Sequence, residues 1–295
     1  MPSDKHFASI DDFLFVRILS SIPEYKSICL LLENKKTKNH AILIINKEPF
    51  NTETVNEWIK TISLEYIDAN DIYGNYSLTL DQPFNENKCT FIYPCTEKHI
   101  IKYSEQKRYL IKETGEDYKK ITLPYLMENN VSDVTWIRNI FEKDYEKESI
   151  IYKDDDPDTG FLLMADLKWD RKTMSNMYLQ VLIQKKGIKS VRDLDESHLP
   201  LLENIRNKVN YALKEKYNLE KNEIIMYFHY QPTYYHLHLH VTPLSLNHPS
   251  RQITSLMLDD VIGNIKLMSN YYQLATLSFI GKEFDDLCQR HLQRA

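Results

Sequence analysis

The segment Tyr235-His236-Leu237-His238-Leu239-His240-Val241-Thr242 determines how the rest of the chain is interpreted. Side chains alternate between the two faces of a β-strand, so this spacing predicts three imidazoles on one face and apolar side chains on the other. The imidazoles would lie along about 13 Å of that face, at about 3.3 Å per residue. His229 precedes the segment, and a short turn around Pro232 would bring this fourth imidazole beside the other three.

Three interpretations of the histidine strand remain open from the residues alone. The first is structural, because a buried histidine is often only a hydrogen-bonded core residue. The second is a metal site, yet successive residues on one face span too far for all three to reach one zinc ion at about 2.0–2.1 Å. The third is catalysis on phosphorus, in which a neutral imidazole attacks while its neighbours and Lys168 hold and protonate the phosphate oxygens.

The composition excludes several classes of function. The 295 residues include only six glycines, and no Gly-x-Gly-x-x-Gly or Walker-type loop occurs among them. The net charge of −5 argues against extended binding to a nucleic-acid backbone but allows a small anionic ligand in one basic pocket. Hydrophobic residues make up 42% of the chain, which is enough for a sizeable core.

The chain is predicted to be a soluble, intracellular protein with no membrane partner. Its four cysteines show no CxxC pair and predict reduced, mostly buried thiols. Residues Met1–Phe7 lack the apolar core of a signal peptide, and no apolar run approaches the roughly 20 residues of a membrane span. We expect a cytoplasmic location, with the nucleus as a second one.

The order of elements predicts an α+β fold in two domains. Residues 1–97 would form a small mixed domain, residues 98–120 a charged, solvated linking helix with a hinge at Gly115, and residues 121–295 a larger C-terminal domain. The predicted strands and helices of the last part are Trp136–Lys147 (helix), Phe161–Leu167, Tyr178–Gln184, Ser197–Tyr217 (helix), Glu223–Tyr230, His236–Leu244 and Ile253–Met268 (helix).

Several further segments occur in an order that resembles a known family. They are Asn70–Tyr73, Glu113–Tyr118, Gly160–Trp169, Gly187–Leu194 and His229–His240. Together they resemble the scavenger mRNA decapping enzymes of the histidine triad superfamily over most of the chain. The chain departs from the family pattern at three places. Ala165 stands where the family usually has proline, Thr233 stands where serine is common, and the loop from Leu244 to Arg251 is shorter than usual.

The resemblance implies a fold, an assembly and a reaction. A C-terminal histidine-triad domain with an antiparallel sheet and helices would join a smaller N-terminal α+β lid domain, swapped between the protomers of a homodimer. The reaction would be hydrolysis of the cap triphosphate of 7-methylguanosine-capped dinucleotides and of short capped RNA left by 3′-to-5′ mRNA decay. It would release 7-methylguanosine monophosphate and a diphosphate-ended RNA through a covalent phosphohistidine, with no metal or cofactor.

The resemblance also implies catalytic roles for four histidines. His238 corresponds to the attacking nucleophile. His236 corresponds to the histidine that orients the ring of His238 through a backbone carbonyl. His240 and His229 correspond to positions that contact the phosphates.

Substrate-binding roles follow from the same resemblance. Trp136 corresponds to the aromatic ring that stacks on the methylated base, where cation–π attraction favours a cationic purine. Glu146 corresponds to the carboxylate that reads the purine edge. The remaining matching positions are Asp166, Lys168, Tyr178, Thr233, Tyr234, Asn70, Tyr73 and Arg251.

Two other functions stay open beside cap hydrolysis. One is a histidine-triad hydrolase of dinucleoside polyphosphates, which would gain nothing from Trp136 and Glu146 on a methylated base. The other is a cap-binding or regulatory protein that acts on an exoribonuclease of the mRNA-decay machinery. The complete set of histidines favours an enzyme over this second alternative.

Overall fold

A computed structural model describes residues 9–48, 50–81, 84–129, 134–143, 147–167, 169–246 and 254–294. The chain divides into two compact units, Met1–Gln106 and Lys107–Ala295. Both units combine helices with antiparallel strands, so the predicted α+β class is confirmed. Within the described ranges, no helix is long and apolar enough to cross a membrane. All four cysteines carry free thiols, of which Cys29 and Cys288 are buried.

The first unit is built around a four-stranded antiparallel sheet of Phe13–Ile22 (β1), Ser27–Asn34 (β2), His40–Lys47 (β3) and Asn87–Ile92 (β6), in that order. Strands β2 and β3 form a hairpin. Ile100 of α2 packs on the sheet residues Leu19, Leu31 and Ile42 to form a small core. A separate hairpin consists of β4 and β5. The elements are β1 (Phe13–Ile22), β2 (Ser27–Asn34), β3 (His40–Lys47), α1 (Val55–Trp58), β4 (Ser63–Asn70), β5 (Tyr73–Thr79), β6 (Asn87–Ile92) and α2 (Glu97–Tyr103).

The segment predicted as one linking helix over residues 98–120 has a different structure, and that prediction is wrong. It contains the end of α2, a strand β7 (Arg108–Glu113), a short helix α3 (Gly115–Asp117) and the start of a π-helical turn (Tyr118–Thr122). The division between the two units falls inside it. Gly115 is buried. A Cβ at this position would lie only 2.1 Å from the carbonyl oxygen of Gln273. The glycine therefore allows a close backbone contact at the place where a hinge was predicted.

The second unit contains a six-stranded antiparallel sheet, whose strands are in order Ser255–Met257 (β13), Ile224–His229 (β11), His238–Pro243 (β12), Leu179–Ile183 (β10), Phe161–Ala165 (β9) and Ile150–Asp154 (β8). The buried side of the helix Leu199–Tyr217 packs against this sheet through residues that include Leu202, Ile205 and Val209. That helix ends at Asn218, whose backbone takes the left-handed conformation with φ of 54°. A second sheet pairs β7 with β14.

The remaining elements of the second unit follow in chain order. They are α4 (Leu123–Glu128), α5 (Thr135–Lys143), β8 (Ile150–Asp154), β9 (Phe161–Ala165), β10 (Leu179–Ile183), α6 (Leu199–Tyr217), β11 (Ile224–His229), β12 (His238–Pro243), β13 (Ser255–Met257), α7 (Leu258–Leu267), α8 (Tyr271–Leu274), β14 (Leu277–Lys282) and α9 (Asp286–Leu292). Two predictions need correction. Residues 255–257 form an edge strand paired with β11, whereas a helix was predicted there, and β12 begins at His238, so His236 lies just before the strand.

Candidate active site

Strand β12 lies inside the six-stranded sheet and carries two of the four histidines. In its register, His238 lies opposite Leu182 of β10, and His240 lies opposite Gln180 of β10 and Tyr227 of β11. The intervening Leu239 and Val241 are buried in the main core together with α6. The predicted separation of imidazoles from apolar side chains is therefore confirmed for this strand.

His236 and His238 each use one ring nitrogen to contact a backbone carbonyl. Nε2 of His236 donates to the carbonyl of Ile183 at 2.8 Å. Nδ1 of His238 donates to the carbonyl of His236 at 2.8 Å. Because a carbonyl can only accept, the proton of neutral His238 is held on Nδ1 and the lone pair is on Nε2.

The ring of His238 is kept neutral by burial. His238 is only 3% exposed, and this burial lowers the pKa of its imidazole to about 4. Burial also lowers the pKa of His236. Among the described residues, Nε2 of His238 has no hydrogen-bond partner. At neutral pH this nitrogen is therefore unprotonated, and its lone pair has the chemistry that a nucleophile needs.

Aromatic side chains pack on the ring of His238 and next to it. Tyr234 stacks on His238, with 3.9 Å between the ring centroids and 17° between the planes. Trp136 of α5 meets Tyr234 edge-on at 5.1 Å and is 43% exposed, so part of the indole faces solvent. The Tyr234 hydroxyl lies 3.4 Å from Oε1 of Gln180.

His229 and His240 lie on neighbouring strands and bring two more imidazoles to the same place. Their ring centroids are 4.1 Å apart, and the centroid of His240 is 5.3 Å from that of His238. The ring of Tyr178 also meets that of His240 edge-on, with 5.5 Å between the centroids. The fourth imidazole predicted from the short turn is thus adjacent to the other histidines. Such a group of imidazoles can surround a phosphate, donating to its oxygens from protonated ring nitrogens.

Two family models match this chain, and between them they cover most of it. The first, described as "Scavenger mRNA decapping enzyme (DcpS) N-terminal", matches residues 8–106. The second, described as "Scavenger mRNA decapping enzyme C-term binding", matches residues 135–255 and so includes all four histidines. The chain belongs to the scavenger mRNA decapping enzyme family.

Curated relatives of this family are similar to the chain along most of their own length. A protein of Ascaris suum named m7GpppX diphosphatase is 43% identical over 291 residues, which cover 97% of this chain and 96% of the relative. The protein of the same name in Caenorhabditis elegans is 37% identical over 283 residues, covering 95% and 90% of the two chains. The human protein of that name is 38% identical over 249 residues, covering 84% and 74%.

The other positions matched to the scavenger decapping family are distributed over both units. Asp166 follows β9 and is close enough to Tyr234 that its charge adds to burial in raising the pKa of the Tyr234 hydroxyl. Thr233 is exposed in the connection between β11 and β12. Asn70 and Tyr73 belong to the first unit, where they are paired across the end of the β4–β5 hairpin. Glu146, Lys168 and Arg251 lie outside the described residues.

Gln180 lies at the site and was not predicted from the sequence. It is a polar residue inside the apolar run Leu179–Ile183 of β10, it is paired with His240, and its side chain lies beside the Tyr234 hydroxyl. The signal that could have revealed it is this single polar side chain within a buried strand next to the histidine strand. Among the described residues, no group of three or more His, Cys, Asp or Glu side chains is arranged to hold a metal ion.

Proposed function

We propose that this chain hydrolyses the triphosphate bridge of 7-methylguanosine-capped dinucleotides and short capped oligonucleotides left by 3′-to-5′ mRNA decay. The products are 7-methylguanosine monophosphate and a diphosphate-ended RNA fragment. The observation that carries the proposal is the arrangement of His238, whose proton is held on Nδ1 and whose buried Nε2 has no hydrogen-bond partner in the part of the chain that the structure describes. The curated relatives named m7GpppX diphosphatase support the choice of substrate.

The reaction divides into two displacements at one phosphorus atom. Nε2 of His238 attacks the phosphorus attached to 7-methylguanosine, an N–P bond forms, and the bond to the bridging oxygen breaks to release the diphosphate-ended RNA. The ring becomes cationic as it attacks, and the carbonyl of His236 stabilises the proton that remains on Nδ1. Water then attacks the same phosphorus, releases 7-methylguanosine monophosphate and restores neutral His238.

The neighbouring residues bind the phosphates and the base. His229, on β11, and His240, two residues after His238 on β12, contact the phosphate oxygens. Lys168 adds a positive charge. The methylated base stacks on Trp136, whose side chain is partly exposed to solvent and contacts the ring of Tyr234. Cation–π attraction makes this surface better for a methylated, cationic purine than for a neutral one.

The test is to identify the broken bond and the intermediate. With a cap dinucleotide labelled at the phosphate next to 7-methylguanosine, rapid quenching in base should leave the label on the protein. In ¹⁸O-water the heavy oxygen should enter 7-methylguanosine monophosphate, and EDTA should leave the rate unchanged. Heavy oxygen that enters the diphosphate-ended RNA instead would contradict the proposal. Activity that is lost in EDTA and restored by zinc would also contradict it.

A matched pair of variants assigns the labelled residue. His238→Asn should abolish labelling of the protein, whereas His198→Asn should preserve it, because His198 is a half-buried histidine that contacts its sequence neighbours Asp195 and Ser197. A hydrolase of dinucleoside polyphosphates would differ in one respect. It would turn over the methylated and unmethylated cap dinucleotides at similar rates.

We further propose that the enzyme is a homodimer in which the first unit is swapped between protomers. The support is the apolar surface of that unit. Phe15 and Ile18 of β1 and Tyr66, Ile67 and Tyr73 of the β4–β5 hairpin are all more than half exposed. Light scattering should give about twice the 35.1 kDa of one chain, and a mass of one chain would contradict the dimer.

Cellular location and partners complete the proposal. We expect the protein in the cytoplasm and the nucleus, where capped remnants arise, and in contact with the exoribonuclease machinery that produces them. Imaging of the tagged protein tests the location. Co-purification of an exoribonuclease with both the intact protein and His238→Asn would support a contact that is independent of catalysis.

A further inference from the structure

Glu113 carries a buried carboxylate that the proposed chemistry does not use. It ends β7 in the same unit as the histidines, and its side chain is 0% exposed. Its Oε1 accepts hydrogen bonds from the Tyr230 hydroxyl and from Nη2 of Arg192, the latter at 2.9 Å. Its Oε2 accepts from the Thr122 hydroxyl and from Nε2 of Gln231, the latter at 3.0 Å. A buried charge with this many donors holds each of them in place.

Arg192 supplies the matching positive charge, and its side chain is also 0% exposed. Nη1 donates to the backbone carbonyls of Tyr272 at 2.8 Å and Ala275 at 2.6 Å, and Nη2 also donates to the carbonyl of Glu113 at 2.9 Å. Burial acts to raise the pKa of Glu113, but hydrogen bonds, including one with His291, and the charge of Arg192 outweigh it and lower that pKa. We call the following residues the carboxylate cluster: Glu113, Thr122, Arg192, Tyr230, Gln231 and His291.

Two hydrogen bonds and the backbone that joins Tyr235 to His236 connect this cluster to His238. The amide of Gln231 donates to Glu113 through Nε2 and accepts from the Tyr235 hydroxyl through Oε1 at 2.6 Å. Tyr235 is buried and directly precedes His236, whose carbonyl accepts from Nδ1 of His238. Because an ionised carboxylate only accepts, the Gln231 amide has one orientation and the Tyr235 hydroxyl must donate. Glu113 therefore sets the direction of this relay.

We propose that Glu113 is a positioning residue that acts through Gln231 and Tyr235 to fix the carbonyl that orients His238. This role presupposes the proposed cap hydrolysis. No atom of Glu113 touches the substrate in this arrangement. Its effect is to set the angle of the His238 ring, and attack on phosphorus needs Nε2 in line with the departing oxygen.

Two substitutions that leave the buried ion pair intact test the relay. Tyr235→Phe removes one hydroxyl, and Gln231→Met removes both polar groups of the amide. Each should lower kcat for a methylated cap dinucleotide about fivefold, which corresponds to one hydrogen bond of about 1 kcal/mol, with KM changed by less than about twofold. The matched control is Tyr272→Phe, which deletes an equally buried hydroxyl that contacts Asn264 outside the relay.

The double variant Gln231→Met/Tyr235→Phe separates a relay from two independent packing defects. Both substitutions break the same chain of hydrogen bonds, so the double variant should be no slower than the slower single variant. Losses that multiply, or a wild-type kcat in either single variant, would overturn the proposal.

A spectroscopic measurement on the free protein makes the relay testable without any substrate. In protein labelled with ¹⁵N at histidine, His238 should be protonated on Nδ1 only. Both relay variants should shift it towards a mixture of tautomers, and Tyr272→Phe should not. An unchanged tautomer in both variants contradicts the positioning role even if the protein turns over no cap, whereas lack of turnover by the wild type contradicts only the proposed function.

Discussion

Two buried polar groups in the second unit differ in how completely their hydrogen bonds are formed. In the carboxylate cluster, both oxygens of Glu113 and the nitrogens of Arg192 have partners. Around β12, the Nδ1 of His238 has a partner, and its Nε2 has none among the described residues. Both groups are almost inaccessible to solvent, so burial alone does not distinguish them.

The difference shows how burial can serve two purposes. A fully paired charge fixes the backbone segments that meet around it. If one partner is lost, the other remains buried with an uncompensated charge, which destabilises the fold. A neutral imidazole with a free lone pair costs less to bury and keeps that lone pair for a substrate. The two groups should therefore respond oppositely to substitution: one should lose stability, and the other activity.

The largest expected effect is the loss of activity in His238→Asn. We expect kcat/KM for the methylated cap dinucleotide to fall by about 10⁴-fold or more, because the attacking lone pair is removed. The free energy of unfolding should change by only about 1 kcal/mol. Steady-state kinetics and urea denaturation measure the two quantities, and His198→Asn is the control. A variant that retains turnover contradicts the assignment of the nucleophile.

The next effect is a loss of stability in Arg192→Met. The substitution removes the positive charge paired with the buried Glu113 carboxylate, and it also removes the donor to three backbone carbonyls, so the free energy of unfolding should fall by about 3–5 kcal/mol. Arg206→Met is the control, because Arg206 pairs at 3.0 Å with a largely exposed Asp259 and should cost at most about 1 kcal/mol. Equal losses in urea denaturation of the two variants would show that the carboxylate cluster is not special.

A third effect is a dependence of stability on pH that originates in the histidines. The pKa of His238 in the folded chain is about 4, below its ordinary value of 6.5. As the pH falls below 6.5, the unfolded chain therefore binds a proton that the folded chain does not, and stability is lost until about pH 4. The loss should reach about 3 kcal/mol. Denaturation at pH 6.5, 5.5 and 4.5 should give a smaller slope for His238→Asn, and identical slopes would contradict this explanation.

The smallest effect concerns the recognition of the base. Trp136→Leu should lower the ratio of kcat/KM for methylated over unmethylated cap dinucleotide about tenfold, because the cation–π contact is lost. Trp58→Leu in the first unit is the control, since the Trp58 indole donates to the carbonyl of Asn51. A ratio that Trp136→Leu leaves unchanged would show that the base is recognised elsewhere.

The sequence predicted the histidine strand well because its signal is local. Alternation of histidine with leucine and valine specifies both faces of β12 from six adjacent residues, and the apolar spacing of α6 is equally explicit. Tyr234 and Trp136 were identified through resemblance. Only the structure shows that Tyr234 stacks on His238 and that Trp136 meets Tyr234 edge-on.

The carboxylate cluster was missed for a physical reason. Strand β7 reads Arg108-Tyr-Leu-Ile-Lys-Glu113, and its charged residues make it look solvated. Glu113 can point inwards because Arg192 neutralises its charge. A local sequence pattern cannot predict a partner that lies so far along the chain. Strand β13 was missed because three residues are too few to show a period of two.

The carboxylate cluster has a consequence for the order of events during folding. Its contacts join positions separated by 79 residues, between Glu113 and Arg192, and by 117 residues, between Glu113 and Tyr230. Closing such long loops is entropically unfavourable until much of the chain has already collapsed. Local hairpins and α6 need no such long loops, so we expect them to form earlier. By the same argument we expect the segment ahead of β12, and with it the ring of His238, to reach its final geometry late in folding.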